Sequence, residues 1–120
     1  MENTDKAYIK LKWGLALKKI IDANKAINQK KKDEGGVKDK NLIDSFGRLE
    51  SSSGIPKATL VNICMGRKNG ASTTWIAIIN AFGLSLTQFA AYYDGLSVDE
   101  VLKYKTEVDK AISDRAKKKK

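Results

Sequence analysis

The side chains best suited to engage another molecule fall in one short stretch: Lys57, Ala58, Val61 and Asn62, then Arg67, Lys68 and Asn69. They supply cations, amides and small apolar groups. Between Ser51 and Tyr93 every charged side chain is positive, namely Lys57, Arg67 and Lys68. Cations of this kind neutralise phosphates and release their counterions. An asparagine amide can pair with adenine, a lysine can reach guanine, and alanine or valine can touch a thymine methyl. Other chemistry has less to work with. Histidine is absent and Cys64 is the only cysteine, so the commonest general base and metal ligand are missing and no internal disulfide can form. No paired catalytic carboxylates, nucleophile motif or phosphate-cradling glycine loop is present, and Gly35-Gly36 reads as a loop. The expectation is a protein that is not an enzyme, with no metal, no cofactor and no evident small-molecule ligand.

These residues need elements to position them, and period and punctuation give six helices. The first spans about Asp5 to Lys31, with Leu11, Leu15, Leu17, Ile20, Ile21 and Ile27 on a broad apolar face. Residues 32–41, with their paired glycines, read as a mobile surface loop. A short second helix, from Leu42 or Ser45 to Ser53, turns Leu42, Phe46 and Leu49 inward and stops at Gly54. Pro56 opens the third helix, which ends near Met65 before Gly66. A fourth begins near Ser72, is expected to bury Trp75, Ile76, Ile79 and Phe82, and stops at Gly83. Ser85-Leu86-Thr87-Gln88 is a capping box for a fifth helix, whose apolar stripe is Leu86, Phe89, Ala90 and Tyr93. Ser97-Val98-Asp99-Glu100 is a second capping box, for a helix over about 98–115. The tail from Arg115 to Lys120 has nothing to bury and should fray. No strand pattern, repeat or linker is visible, so the class is all-α.

The third helix divides into two faces. At roughly 100° per residue, with Lys57 at zero, Val61, Ala58 and Asn62 fall within roughly 140° on one side. Leu60 and Ile63 fall opposite and should pin the helix to the core, while Thr59 reads as a helix-start stabiliser. The same pattern also describes an ordinary amphipathic surface helix with a solvent face. Cys64 reads as a small boundary residue, although Arg67 and Lys68 nearby would lower the pKa of an exposed thiol. Tyr8, Trp13 and Trp75 read as packing residues.

The chain has 120 residues and a formal net charge of +9, room for one domain. The charge divides as +5 over residues 1–41, +1 over 42–96 and +3 over 97–120. A positive face with basic flanks suits a polyanion. No apolar run approaches the roughly 20 residues that cross a bilayer, and the start, Met1 to Asp5, is polar and acidic rather than signal-like. A cytoplasmic protein with no membrane partner is expected.

Residues 49–89 resemble the Cro and phage-repressor (Xre-type) helix-turn-helix family. The elements that carry the resemblance are Gly54-Ile55-Pro56, Thr59-Leu60, Ile63, Gly66-Arg67-Lys68-Asn69 and Phe82-Gly83-Leu84-Ser85-Leu86. The resemblance implies a five- to six-helix lambda-repressor-like domain with N- and C-terminal helical extensions. Its parts are an N-terminal helix over 1–31, a loop over 32–41, a helix-turn-helix core over 42–96, and a C-terminal helix with a basic tail over 97–120. It implies sequence-specific binding of double-stranded DNA by a transcriptional regulator, chiefly a repressor, with residues 56–65 in the major groove. Base-reading positions then fall on Lys57, Ala58 and Asn62, with Val61 beside them, and backbone contacts on Arg67, Lys68 and Asn69. Three positions depart from the family pattern: Glu50 replaces a small packing residue, Cys64 a frequent acid and Gly70 a frequent proline. The alternative function is an antitoxin-like or assembly module that uses the same fold to hold a protein. Family habit also implies a homodimer, for which Phe89, Tyr92, Tyr93, Val101 and Leu102 offer a seam.

Overall fold

Asp5 starts the first helix by accepting a hydrogen bond from the Ala7 N–H on its side chain (2.8 Å), which satisfies one of the helix's orphan donors. The computed structural model describes residues 5–39 and 41–118, and within them six helices and no strand. They are α1 (Lys6–Asp33), α2 (Phe46–Ser53), α3 (Lys57–Cys64), α4 (Ser72–Ala81), α5 (Leu86–Asp94) and α6 (Val98–Lys118). Both expected capping boxes form. Ser85 and Gln88 bond reciprocally (2.8 and 3.1 Å), as do Ser97 and Glu100 (3.4 and 3.1 Å).

α1 is the spine of the molecule rather than an extension. Its buried face, from Tyr8 through Ile21, packs against α3, α5 and α6, while α2 packs on α3 and α4. One hydrophobic cluster runs through all of them. It takes Leu15, Ala16 and Leu17 from α1, Leu60 from α3, Ile78 from α4, and Val101, Tyr104 and Val108 from α6. The core therefore does not stop at residues 42 and 96, because α1 and α6 supply much of its apolar surface. α4 and α5 turn through 98° about the Phe82–Ser85 connection. Beside them Trp13, Trp75, Phe89 and Tyr93 form an aromatic cluster, with Trp13 and Trp75 centroids 4.7 Å apart and Lys12 Nζ 4.4 Å from the Tyr93 ring.

The connection between α1 and α2 runs over the surface, with residues 32–38 exposed, and is tied to α1 at its far end. Asn28 and Asp44 are both buried and bond through Asn28 Nδ2 and Asp44 Oδ2 (2.8 Å). Asn28 also accepts the Asp39 N–H (3.0 Å), and Asn24 donates to the Ile43 carbonyl (2.7 Å). Each bond would leave a buried polar group unpaired if the segment lifted away. The Asn28 hydrogen bond, helped by Arg48, holds the Asp44 carboxyl below the usual carboxylate range. Lys40, in the middle of this segment, and Lys119 and Lys120 in the tail lie outside the described residues.

Further expectations are corrected by burial. Ile76 and Leu86 are not core residues but stand 42% and 55% exposed, and Ile27 is exposed as well. The proposed seam is largely consumed by the core: Phe89 and Val101 are fully buried and Tyr93 is half-buried, leaving Tyr92 and Leu102 exposed. α6 does not fray at Arg115 but continues to Lys118. No single helix among the described residues is long and apolar enough to cross a membrane.

Candidate functional site

The surface carrying the residues singled out from the sequence is built by α2, α3 and the turn that follows. α2 is capped by Ser45, whose hydroxyl accepts the Arg48 N–H (3.2 Å). It ends at Gly54, where φ is +75° and the N–H donates to the Glu50 carbonyl (2.9 Å). A side chain at this φ would be strained. Ser53 braces the turn by donating to the Leu49 carbonyl and accepting the Ile55 N–H.

Pro56 occupies the N-cap of α3 and has no side chain to cap it. The missing acceptor comes from α2: Glu50 Oε2 takes the Lys57 N–H at 2.7 Å. Glu50 therefore stands where a small residue was expected because it does the capping that Pro56 cannot. It also sets a carboxylate at the positive end of the helix. Sequence reasoning placed Glu50 outside the positive stretch and missed this bond. Its signal is a proline at a cap position with an acid one short helix earlier.

α3 itself is divided as expected between core and surface. Leu60, Ile63 and Cys64 are buried, Lys57 and Ala58 are exposed, and Val61 and Asn62 are half-buried. The outward face is not free along its whole width. Lys57 and Val61 border a groove shared with Glu107, Ala111 and Arg115 of α6, so α6 flanks the side of α3 on which they lie. Ala58 and Asn62 do not line that groove. The open arc of the helix is thus turned toward Ala58 and Asn62, further round than Lys57 would suggest. Arg115 and Glu107 are neighbours that the sequence gave no reason to bring here.

Behind α3 the turn closes tightly. The N–H groups of Arg67 and Lys68 both donate to the Asn62 carbonyl (2.9 and 3.3 Å). Gly66 has φ +73°, and a Cβ there would also come within 3.0 Å of Leu11. Arg67, Lys68 and Asn69 are exposed. The structure therefore brings all seven sequence-selected residues onto one short helix and the loop leaving it.

The far end of α3 is embedded in the core. A Cβ on Gly14 would lie 2.1 Å from the Cys64 carbonyl oxygen, so α1 crosses α3 in backbone contact. Tyr104 donates its hydroxyl proton to that same carbonyl (2.5 Å). Cys64 Sγ lies 3.6 Å from the Gly14 oxygen and 3.5 Å from Tyr104 Oη. Burial pushes the Cys64 thiol up rather than Arg67 and Lys68 pulling it down, and burial raises the Tyr104 hydroxyl too. Compared with protein-family models, with characterised proteins and with solved structures, the chain finds no match in any of the three.

Proposed function

We propose that the chain binds double-stranded DNA sequence-specifically and regulates transcription, with α2, the turn at 54–56 and α3 acting as a lambda-repressor-like helix-turn-helix. The observation that carries this reading is that two exposed patches, Lys57 and Ala58 at the start of α3 and Arg67, Lys68 and Asn69 in the turn after it, include no acid. In this reading α3 lies in the major groove. Asn62 pairs with an adenine, Ala58 and Val61 meet thymine methyls, Lys57 reaches a guanine, and Arg67, Lys68 and Asn69 hold phosphates. Because the open arc is centred on Ala58 and Asn62, these two make the closest base contacts.

Selection of bound duplexes from a random pool at physiological salt tests the reading. A recurrent motif is expected, and Asn62→Ala should cost about 1–3 kcal/mol on it while flattening preference at one base pair. Replacing Arg67 and Lys68 together with alanine should weaken all duplexes alike and lower the slope of log affinity against log salt by about 2. A pool that yields no motif overturns the proposal.

One observation favours the alternative, an antitoxin-like or assembly module that uses the same fold to hold a protein. The Glu50 carboxylate already occupies the N-terminus of α3, the helix end that a phosphate would otherwise approach. For such a module the selection would return no motif, and a partner would contact Glu50 through a cation.

A further inference from the structure

On the side of the molecule where the first turns of α1 meet α4 and the start of α5 there is a second groove, of about 380 Å³. Its size falls in the range of small-molecule sites, roughly 300–1,000 Å³. Ile9, Trp13, Ile76 and Leu86 are among its walls. Two of these, Ile76 and Leu86, are the exposed apolar residues that the core does not use. The only charged side chains lining it are Lys10 and Lys68, and neither has an ion-pair partner among the described residues.

One unpartnered donor points the same way. Trp75 is only 9% exposed. Its indole Nε1 lies against Gly70, where an added Cβ would stand 2.7 Å from it, and both residues line the groove. Among the described residues nothing accepts this N–H, and the nitrogen is not sealed from solvent. An indole N–H that only solvent meets at the groove is free to donate to an acceptor bound there.

We infer that this groove binds a small aromatic carboxylate. The flat ring lies between the Trp13–Trp75 pair and the aliphatic wall of Ile76 and Leu86, where ring faces and edges give favourable contacts. The carboxylate accepts the Trp75 N–H and faces Lys68. A second copy docked isologously through this groove is a poor occupant, because it would bring its own Lys10 and Lys68 toward the same two cations. The site was not evident in the sequence because its parts come from α1, the turn after α3, α4 and the start of α5. The site stands without the DNA reading. Given that reading, Lys68 serves both ligands, so carboxylate and DNA weaken each other's binding by the same factor.

The test uses the full chain, labelled with ¹⁵N and free of DNA, titrated with 2-naphthoate. The protein has two tryptophans, hence two indole N–H resonances to follow. The Trp75 resonance should move downfield and saturate as its proton gains an acceptor, with Trp13 shifted by the nearby ring. Neutral 2-naphthalenemethanol should bind roughly twofold to fivefold more weakly, the range of a rim ion pair. Lys68→Gln should remove that preference, and Ile76→Glu, at an exposed position, should abolish naphthoate binding without unfolding the chain. Equal affinity for the acid and the alcohol, or no shift at millimolar naphthoate, overturns the site. So does movement of the same resonances with protein concentration alone, which would mean that a second copy covers the groove. Protein that binds naphthoate but selects no DNA motif upholds the site and removes the DNA reading only.

Discussion

The two ends of α3 are held in opposite ways. At the C-terminal end Cys64 is buried, its carbonyl is met by the backbone of Gly14, and Tyr104 bonds to the same oxygen. At the N-terminal end Lys57 and Ala58 are exposed, and the Lys57 N–H donates to the Glu50 carboxylate. The helix has eight residues, so barely two turns separate the fixed end from the presented one. Isolated helices this short are not stable in water. The lesson is that α3 exists because one end is built into the core, and the other can therefore carry side chains chosen for contact rather than for packing.

Substitutions at the two ends test that contrast. The largest effect is expected for Gly14→Ala. The new methyl would meet a backbone carbonyl, which cannot rotate aside, so α1 and α3 must separate. A loss of about 3 kcal/mol or more is expected in urea unfolding, and a stable variant would show that the crossing is looser than described. Tyr104→Phe should come next. It leaves the Cys64 carbonyl without its partner in a buried site, for about 1–3 kcal/mol, and the midpoint of thermal or urea unfolding reads it. The smallest effect is expected for Glu50→Gln, which keeps an acceptor near Lys57 but removes the charge. Stability should fall by about 0.3–1 kcal/mol. DNA affinity should move the other way, rising several-fold at low salt and returning toward wild type as salt screens the change. A parallel loss of stability and of binding would put Glu50 at a partner's contact and favour the protein-docking module.

Much of the helical architecture was legible because its signals are local. Ser85-Gln88 and Ser97-Glu100 announce their helices within four residues, and Gly54 and Gly66 mark ends with a conformation that glycine adopts without strain. The outward placement of Lys57 and Ala58 was legible for a related reason: a two-turn helix with Leu60 and Ile63 inward has few ways to face. What escaped is non-local. Nothing adjacent to Asn28 says that Asp44, across a polar loop, will pair with it in the interior. The apolar stripe of α5 begins at Leu86, yet Leu86 lines an open groove beside α4 and stays exposed. Phe89 and Val101 looked surplus only because the length of α1 available to cover them cannot be read from their own helices. Pro56 and Glu50 satisfy each other's defects across α2 and the turn, and neither residue alone predicts the pairing.

The enclosure of Cys64 also makes the protein its own recording device. It is the only thiol in the chain, it is buried, and its raised pKa keeps it protonated near neutrality. Cys64 is only 4% exposed, against the groove between α3 and α6, so a thiol reagent of moderate size reaches it when the helices around that groove part. When reclosing outpaces labelling, the rate at which that sulfur is modified measures the free energy of the opening that exposes it. When labelling outpaces reclosing, it measures the opening rate itself. Anything that steadies α3, whether a duplex on its outer face or a carboxylate beside Trp75, would slow that clock without touching the cysteine.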